Sequence, residues 1–198
     1  DETLQHWDRE LLLRDVVSVV RAFRPHIIVS VFSGTPADGH GHHQVAGMLA
    51  REAFDIADDS VRLPARATNG VAAWTPLKFY RGQRFRPEGA TLRMNVGAYN
   101  PVLGRSYAEI AGESRSQHKS QGFGALQRRG VVWNHVSRIA SRVNESTPPA
   151  SEKSIFDGII PGRVELGGVS GSSSIASHVV LEAVADRALG DLAAELLD

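Results

Sequence analysis

Apolar residues recur at helical spacing near the start of the chain. Between Asp8 and Phe23 they fall three or four positions apart, which predicts a helix with one apolar face. Asp8 is a predicted N-cap, and Pro25 predicts the end of the helix because proline excludes the residue before it from the α region. The apolar positions are Leu12, Leu13, Val16, Val17, Val20 and Phe23.

A β-branched run follows from His26 to Phe32 and predicts a central strand buried on both faces. A loop rich in glycine and proline then leads to a second amphipathic helix, roughly Gln44–Ala57. Helix, strand, loop and helix in this order are typical of a doubly wound layer. We therefore expect an α/β fold with a Rossmann-like three-layer sheet.

The rest of the chain has weaker patterns. Strands are predicted at Leu77–Tyr80 and Leu92–Val96, and a helix over Tyr107–Ser120. The segment Val131–Val143 fits either a helix or a strand–helix join. These elements extend the same α/β pattern.

Composition changes toward the C-terminus. Asn144–Glu152 is polar and contains a proline pair, which is typical of a linker. Ile175–Leu197 has the spacing of an amphipathic helix that breaks near Gly190. We predict a main domain over residues 1–147 and a linker with a helical appendage over residues 148–198.

Charge and length limit the partners. The 198 residues hold 22 basic and 22 acidic side chains, so no net field attracts nucleic acid or an anionic membrane. The pair Arg128-Arg129 is interpreted as solvated surface. No apolar run approaches the roughly 20 residues that a membrane span needs. The oligomeric state stays open.

The chain contains no cysteine, which excludes disulfides, thiolate zinc sites and cysteine nucleophiles. Any metal ion must be bound by His, Asp, Glu or water. The sequence starts at Asp1 with neither an initiator Met nor a signal peptide, so we expect the beginning of the protein to lie elsewhere. The cellular compartment stays open.

Three histidines lie within four positions in the loop that follows the first predicted strand. His40 and His43, with Asp38, form the pattern Asp-x-His-x-x-His, and His42 lies between them. The carboxyl ends of strands are where open α/β sheets bind ligands, and imidazole is the commonest metal ligand in proteins. The alternative is a polar loop whose histidines cap a helix or face water.

Two runs of sequence carry a family resemblance: Pro25-x-x-Ile-Val-Ser30, and Ser33-Gly-Thr-Pro-Ala-Asp-Gly-His-Gly-His-His-Gln-Val-Ala-Gly47. Together they resemble the second motif of the PIG-L/LmbE-type zinc N-deacetylases, above all the long bacterial members with Asp-Gly-His-Gly-x-His-Gln. The resemblance extends over about residues 8–145 and is specific at Asp38–Gln44.

The resemblance implies a Rossmann-like domain that removes the acetyl group of an N-acetyl amino sugar conjugate with zinc-activated water. It implies that His43 is a Zn²⁺ ligand and that His40 stabilises the tetrahedral oxyanion. Asp38 then orients His40 or shapes the site, and His42 is an exposed loop residue.

The family's first motif, Ala-His-Pro-Asp-Asp-Glu, does not occur in these 198 residues. In the family that motif supplies two further metal ligands and the general base. We therefore expect the chain to be a fragment of an active enzyme that lacks the N-terminal strand or strands and is inactive by itself. A degenerate relative that binds no metal is the alternative.

A polar run near the middle of the chain, Ser114–Gly124, holds two further candidates. Arg115 and His118 are expected to line a pocket for the sugar substrate, as similar runs in the long bacterial relatives imply; the alternative is a solvated helix end. A metal phosphoesterase and a non-catalytic carbohydrate-binding relative are the other functions considered.

Overall fold

The structure is a computed structural model that describes residues 3–83, 87–120, 123–143 and 148–159. The chain divides into the units Asp1–Asp157 and Gly158–Asp198, and the fold below is that of the first. Its helices are α1 (Thr3–His6), α2 (Arg9–Phe23), α3 (Gly41–Ile56) and α4 (Tyr107–Ser116). Its strands are β1 (Ile27–Ser30), β2 (Lys78–Gly82), β3 (Leu92–Asn95), β4 (Tyr99–Asn100), β5 (Arg105–Ser106) and β6 (Trp133–Ser141). The helix expected over Ile175–Leu197 lies outside the described residues.

The first predicted helix is confirmed as α2. The Asp8 carboxylate accepts a hydrogen bond from the Leu11 nitrogen at 2.8 Å, so the predicted N-cap is in place. Arg24 leaves the helical region ahead of Pro25, with φ 54° and ψ 50°. One face of α2 is buried and packs against α3.

The main sheet has the strand order β1-β2-β6-β3. β1 and β2 are parallel, whereas β6 runs antiparallel to both of its neighbours. The structure therefore shows a mixed α/β fold; the three-layer Rossmann-like arrangement stays a prediction. Every helix among the described residues is too short or too polar to span a membrane.

β1 is an edge strand among the described residues, which therefore do not show the predicted central strand buried on both faces. Only β2 pairs with it, and Val29 and Val31 are 46% and 59% exposed. A β-branched run indicates a strand, but it does not report how many neighbours that strand has.

The segment Val131–Val143 contains the inner strand β6 (Trp133–Ser141) and no helix, which corrects the expectation of a helix or a strand–helix join. Phe79 pairs with Ala140 and Tyr80 with Arg138, so Ile139 has no partner across the ladder. This bulge shifts the alternation of inward and outward side chains.

The two faces of the sheet are covered differently. Adjacent strand residues point to opposite faces, and Phe79 packs on Phe54 of α3 with ring centroids 5.7 Å apart. Tyr80 forms an apolar cluster with Leu92 and Val136, and Ile155 packs against that cluster.

Glu152 was expected in a linker, but it is buried against the sheet. Its carboxylate binds Lys78 Nζ at 2.6 Å, the Tyr80 hydroxyl at 2.8 Å and an Arg138 Nη at 2.9 Å. All three charged side chains are at most 5% exposed. Residues around 152 are therefore part of the main fold, because these contacts fix them to β2 and β6.

Candidate functional site: the histidine loop

The histidine loop, residues 31–43 from the end of β1 through the first turn of α3, is organised by the Asp38 carboxylate. It accepts main-chain hydrogen bonds from Ser33 at 2.9 Å, Gly34 at 2.7 Å and Thr35 at 3.2 Å. Burial alone would raise the pKa of Asp38, but these hydrogen bonds outweigh it and the pKa lies below its ordinary value. The carboxylate stays ionised and holds the loop closed.

Asp38 therefore fixes the shape of the loop, and its expected part in a catalytic site stays a prediction. Within the described chain its carboxylate accepts no hydrogen bond from an imidazole, so the expected orientation of His40 by this group is not what the structure shows.

His43 lies in the first turn of α3 and is held from two sides. Its Nδ1 is 3.1 Å from the main-chain oxygen of Asp38, and its ring stacks on Phe32 with centroids 4.0 Å apart and planes 14° apart. A carbonyl only accepts, so Nδ1 is the donor in this hydrogen bond, and in the neutral imidazole Nε2 then holds the lone pair. Metal-binding histidines are commonly oriented in this way.

His40 and His43 are brought together as the spacing predicted. His40 is the N-cap residue of α3, and its ring centroid lies 3.7 Å from that of His43. His42 is exposed and meets the ring of His40 at 5.6 Å and that of Trp7 at 5.8 Å. Aromatic rings thus run in contact from the end of β1 to the N-terminal segment.

A complete metal site is not assembled by the described residues. They contain no group of three or more His, Asp or Glu side chains that could hold a metal ion. His43 fits one ligand position, whereas a catalytic zinc takes three protein ligands. The described residues therefore fit part of a zinc site and do not complete it.

Arg81 is a residue of this region that sequence reasoning missed. One of its Nη atoms is 3.3 Å from the Ser33 main-chain oxygen, and its buried Nε has no hydrogen-bond partner among the described residues. It lies near the end of β2, opposite Ser30 of β1. The sequence does place Arg81 near the end of a predicted strand. It does not show that this strand pairs with β1, and that pairing brings Arg81 to the histidine loop.

Arg115 lies in α4 and His118 just after it, and α4 starts at the edge of the sheet opposite β1. This helix begins beside β3, where the Ala108 nitrogen donates to the Val96 oxygen at 2.8 Å. β1 and β3 are opposite edges, about three strand spacings or roughly 14 Å apart. Both side chains are exposed, and His118 Nδ1 is 3.3 Å from the Ser120 hydroxyl.

Comparison of the chain with protein-family models, with curated proteins and with solved structures finds no match in any of the three. The resemblance to the N-deacetylases therefore stays a prediction that rests on the motif residues alone.

Proposed function

We propose that this chain carries part of the active site of a zinc-dependent N-deacetylase, an amide hydrolase that acts on an N-acetyl amino sugar conjugate. The observation that carries the proposal is the His43 imidazole, whose Nδ1 faces the Asp38 carbonyl and whose Nε2 is left with a lone pair. Its position after the carboxyl end of β1, in a mixed α/β fold, supports a ligand site there.

Each residue of the loop has a separate part in this proposal. His43 is one metal ligand. His40, in ring contact with it, donates a hydrogen bond to the oxyanion that forms when water attacks the acetyl carbonyl. Asp38 fixes the loop that presents both rings. Zinc, when bound, lowers the pKa of water and polarises the carbonyl.

The other two metal ligands and the carboxylate that transfers protons belong, in this proposal, to a segment that these 198 residues do not contain. Arg115 and His118 remain candidates for the outer part of a sugar-binding surface, because α4 starts near the same end of the sheet as the carboxyl end of β1.

The test uses the protein at the length that its gene encodes. We expect about one zinc per chain by elemental analysis and release of acetate from N-acetylglucosamine conjugates. His43→Ala should lose both zinc and activity. His42→Ala is the matched control, since His42 is the exposed neighbour of His43, and it should keep both.

His40→Ala separates the two histidine roles. It should retain zinc while kcat falls by about 10²–10³-fold, the usual effect of removing one oxyanion donor. A protein without zinc that nevertheless binds the sugar conjugate would overturn the proposal in favour of a non-catalytic carbohydrate-binding relative. Equal zinc content in the His43→Ala variant and the unmodified protein would overturn it as well.

A further inference from the structure

A cavity of about 380 Å³ opens at the start of α4, away from the histidine loop. Its wall contains Tyr99, Ser106, Glu109 and Arg129, and glycines complete it. This volume lies within the range of small-molecule sites. The deacetylase proposal uses none of these residues.

Glu109 in the wall of this cavity is held by its neighbours. One carboxylate oxygen accepts from the Ser106 nitrogen at 2.9 Å and from the Ser106 hydroxyl at 3.1 Å, which completes a capping box on α4. The Ser106 main-chain hydrogen bond is the main cause that holds the pKa of Glu109 below its ordinary value, and the bond from Arg129 adds to it. The carboxylate is therefore ionised and immobile.

Arg129 is oriented by that carboxylate. Its Nε donates to Glu109 Oε1 at 2.7 Å, while the side chain is 83% exposed. Neither Nη atom has an acceptor within the described part of the chain. The guanidinium is thus anchored on one edge and free on the other, where two parallel N–H groups suit a carboxylate or phosphate.

The charge balance permits an anion here. Glu109 occupies the third position of α4, where the helix dipole is positive and offsets part of the carboxylate charge. Glu109 therefore neutralises less of the positive charge of Arg129 than a carboxylate in an isolated ion pair would, and Arg129 can still attract an anion.

The backbone around the cavity is held in a defined shape, and an aromatic ring forms one side. A Cβ on Gly97 would lie 2.0 Å from the Gly130 oxygen, so the two loops touch through their main chains. Tyr99 is 68% exposed and contributes an aromatic surface. Tyr99 and Arg129 therefore place an aromatic surface and a guanidinium in the wall of the same cavity.

We propose that this cavity, the Arg129 cleft, binds the carboxylate or phosphate group of a small ring-containing molecule. The free edge of the guanidinium takes the oxyanion and Tyr99 packs on the ring. This site is independent of the deacetylase proposal, because it shares no residue with the histidine loop.

The test is a titration of the full chain with phenyl phosphate, benzoate and inorganic phosphate. Binding is measured by calorimetry and by the amide NMR shifts of Gly97 and Gly130. We expect saturable binding of phenyl phosphate or benzoate, and the preferred one of the two identifies the oxyanion. Arg129→Ala should weaken that binding about tenfold or more, and Arg129→Lys should not restore it because lysine lacks the two-pronged geometry.

Arg128→Ala is the matched control, since it removes an adjacent, exposed positive charge. It should leave binding within twofold. Tyr99→Ala should weaken phenyl phosphate severalfold and leave inorganic phosphate unchanged. Equal loss in the Arg128 and Arg129 variants, or no saturable binding below about 10 mM of any probe, overturns the proposal.

Discussion

Gly34 crosses over α3 at Gly47 with no space between the two backbones. A Cβ on Gly47 would lie 2.2 Å from the Gly34 nitrogen, and Gly34 itself has φ +79°. This contact fixes the distance between the backbone at Gly34 and the helix that contains His43. The presentation of His43 therefore depends on a residue that has no side chain.

Gly47→Ala should displace the loop. The added methyl group meets main-chain atoms that cannot rotate away, so we expect a loss of ~1–3 kcal/mol in the free energy of unfolding, measured by urea denaturation. Gly89→Ala is the control, because the nearest atom to its Cβ, Gln83 Oε1, is 4.0 Å away. A similar loss in both variants would show that the crossing is not tight.

The Asp38 carboxylate should matter more for the loop than for proton transfer. Asp38→Asn replaces one acceptor oxygen with a donor that faces three main-chain N–H groups, so we expect a loss of ~1–3 kcal/mol in stability. The His43 ring resonances should shift by NMR. Asp15→Asn, at a side chain 68% exposed, should have little effect on either measurement. Unchanged His43 resonances in Asp38→Asn would contradict this role.

His26 should make stability depend on pH. Its ring packs edge-on against Trp74 at 5.4 Å, and its buried Nε2 has no partner among the described residues. Burial lowers the pKa of His26, so the folded state binds a proton less readily than the unfolded state. The contribution of His26 to stability is therefore complete above the unfolded pKa of about 6.5 and declines as the pH falls below it.

The unfolding free energies of the unmodified chain and of His26→Phe, measured from pH 8 to pH 5, check this expectation. Phenylalanine keeps the contact with Trp74 and cannot titrate. The stability of His26→Phe relative to that of the unmodified chain should therefore rise as the pH falls below about 6.5. The difference isolates His26 from the other histidines. Curves that stay parallel over the whole range would refute the assignment.

Glu152 should be far more important than a surface carboxylate. Glu152→Gln leaves Lys78 and Arg138 buried without their shared counter-charge, and the expected loss of stability is ~3–5 kcal/mol. Glu113→Gln is the control, because Glu113 is 49% exposed and its ion pair with Arg105 contributes at most ~1 kcal/mol. Chemical denaturation at pH 7 compares the two, and equal losses would count against a buried cluster.

The same cluster has a pH signature. Burial alone would raise the pKa of Glu152, but hydrogen bonds from Lys78, Tyr80 and Arg138 outweigh it, and the pKa lies below its ordinary value. The resulting stability is present above the unfolded pKa and is lost as the pH falls through the folded one. Acid unfolding of Glu152→Gln should therefore be less steep than that of the unmodified chain.

Local signals predicted the local elements. Asp8 and Pro25 gave both ends of α2, and the spacing of His40 and His43 placed their rings in contact. These predictions succeed because caps and helical turns involve residues a few positions apart.

Contacts between distant residues were not predictable in the same way. β6 was missed for two reasons. Arg138 is a charged residue at a buried position, where its charge is neutralised by Glu152. The bulge at Ile139 also breaks the alternation of buried and exposed residues. The edge position of β1 and the approach of Arg81 to the loop likewise depend on strand order, which no single segment encodes.

The cluster at Glu152 also determines how far this domain can be trimmed. A version cut after residue 147 would keep every strand of the main sheet, yet it would leave two cations facing an apolar layer with no anion to neutralise them. Electrostatic neutrality, rather than the last hydrogen-bonded ladder, therefore limits how short a stable piece of this domain can be, and such a piece must include Glu152.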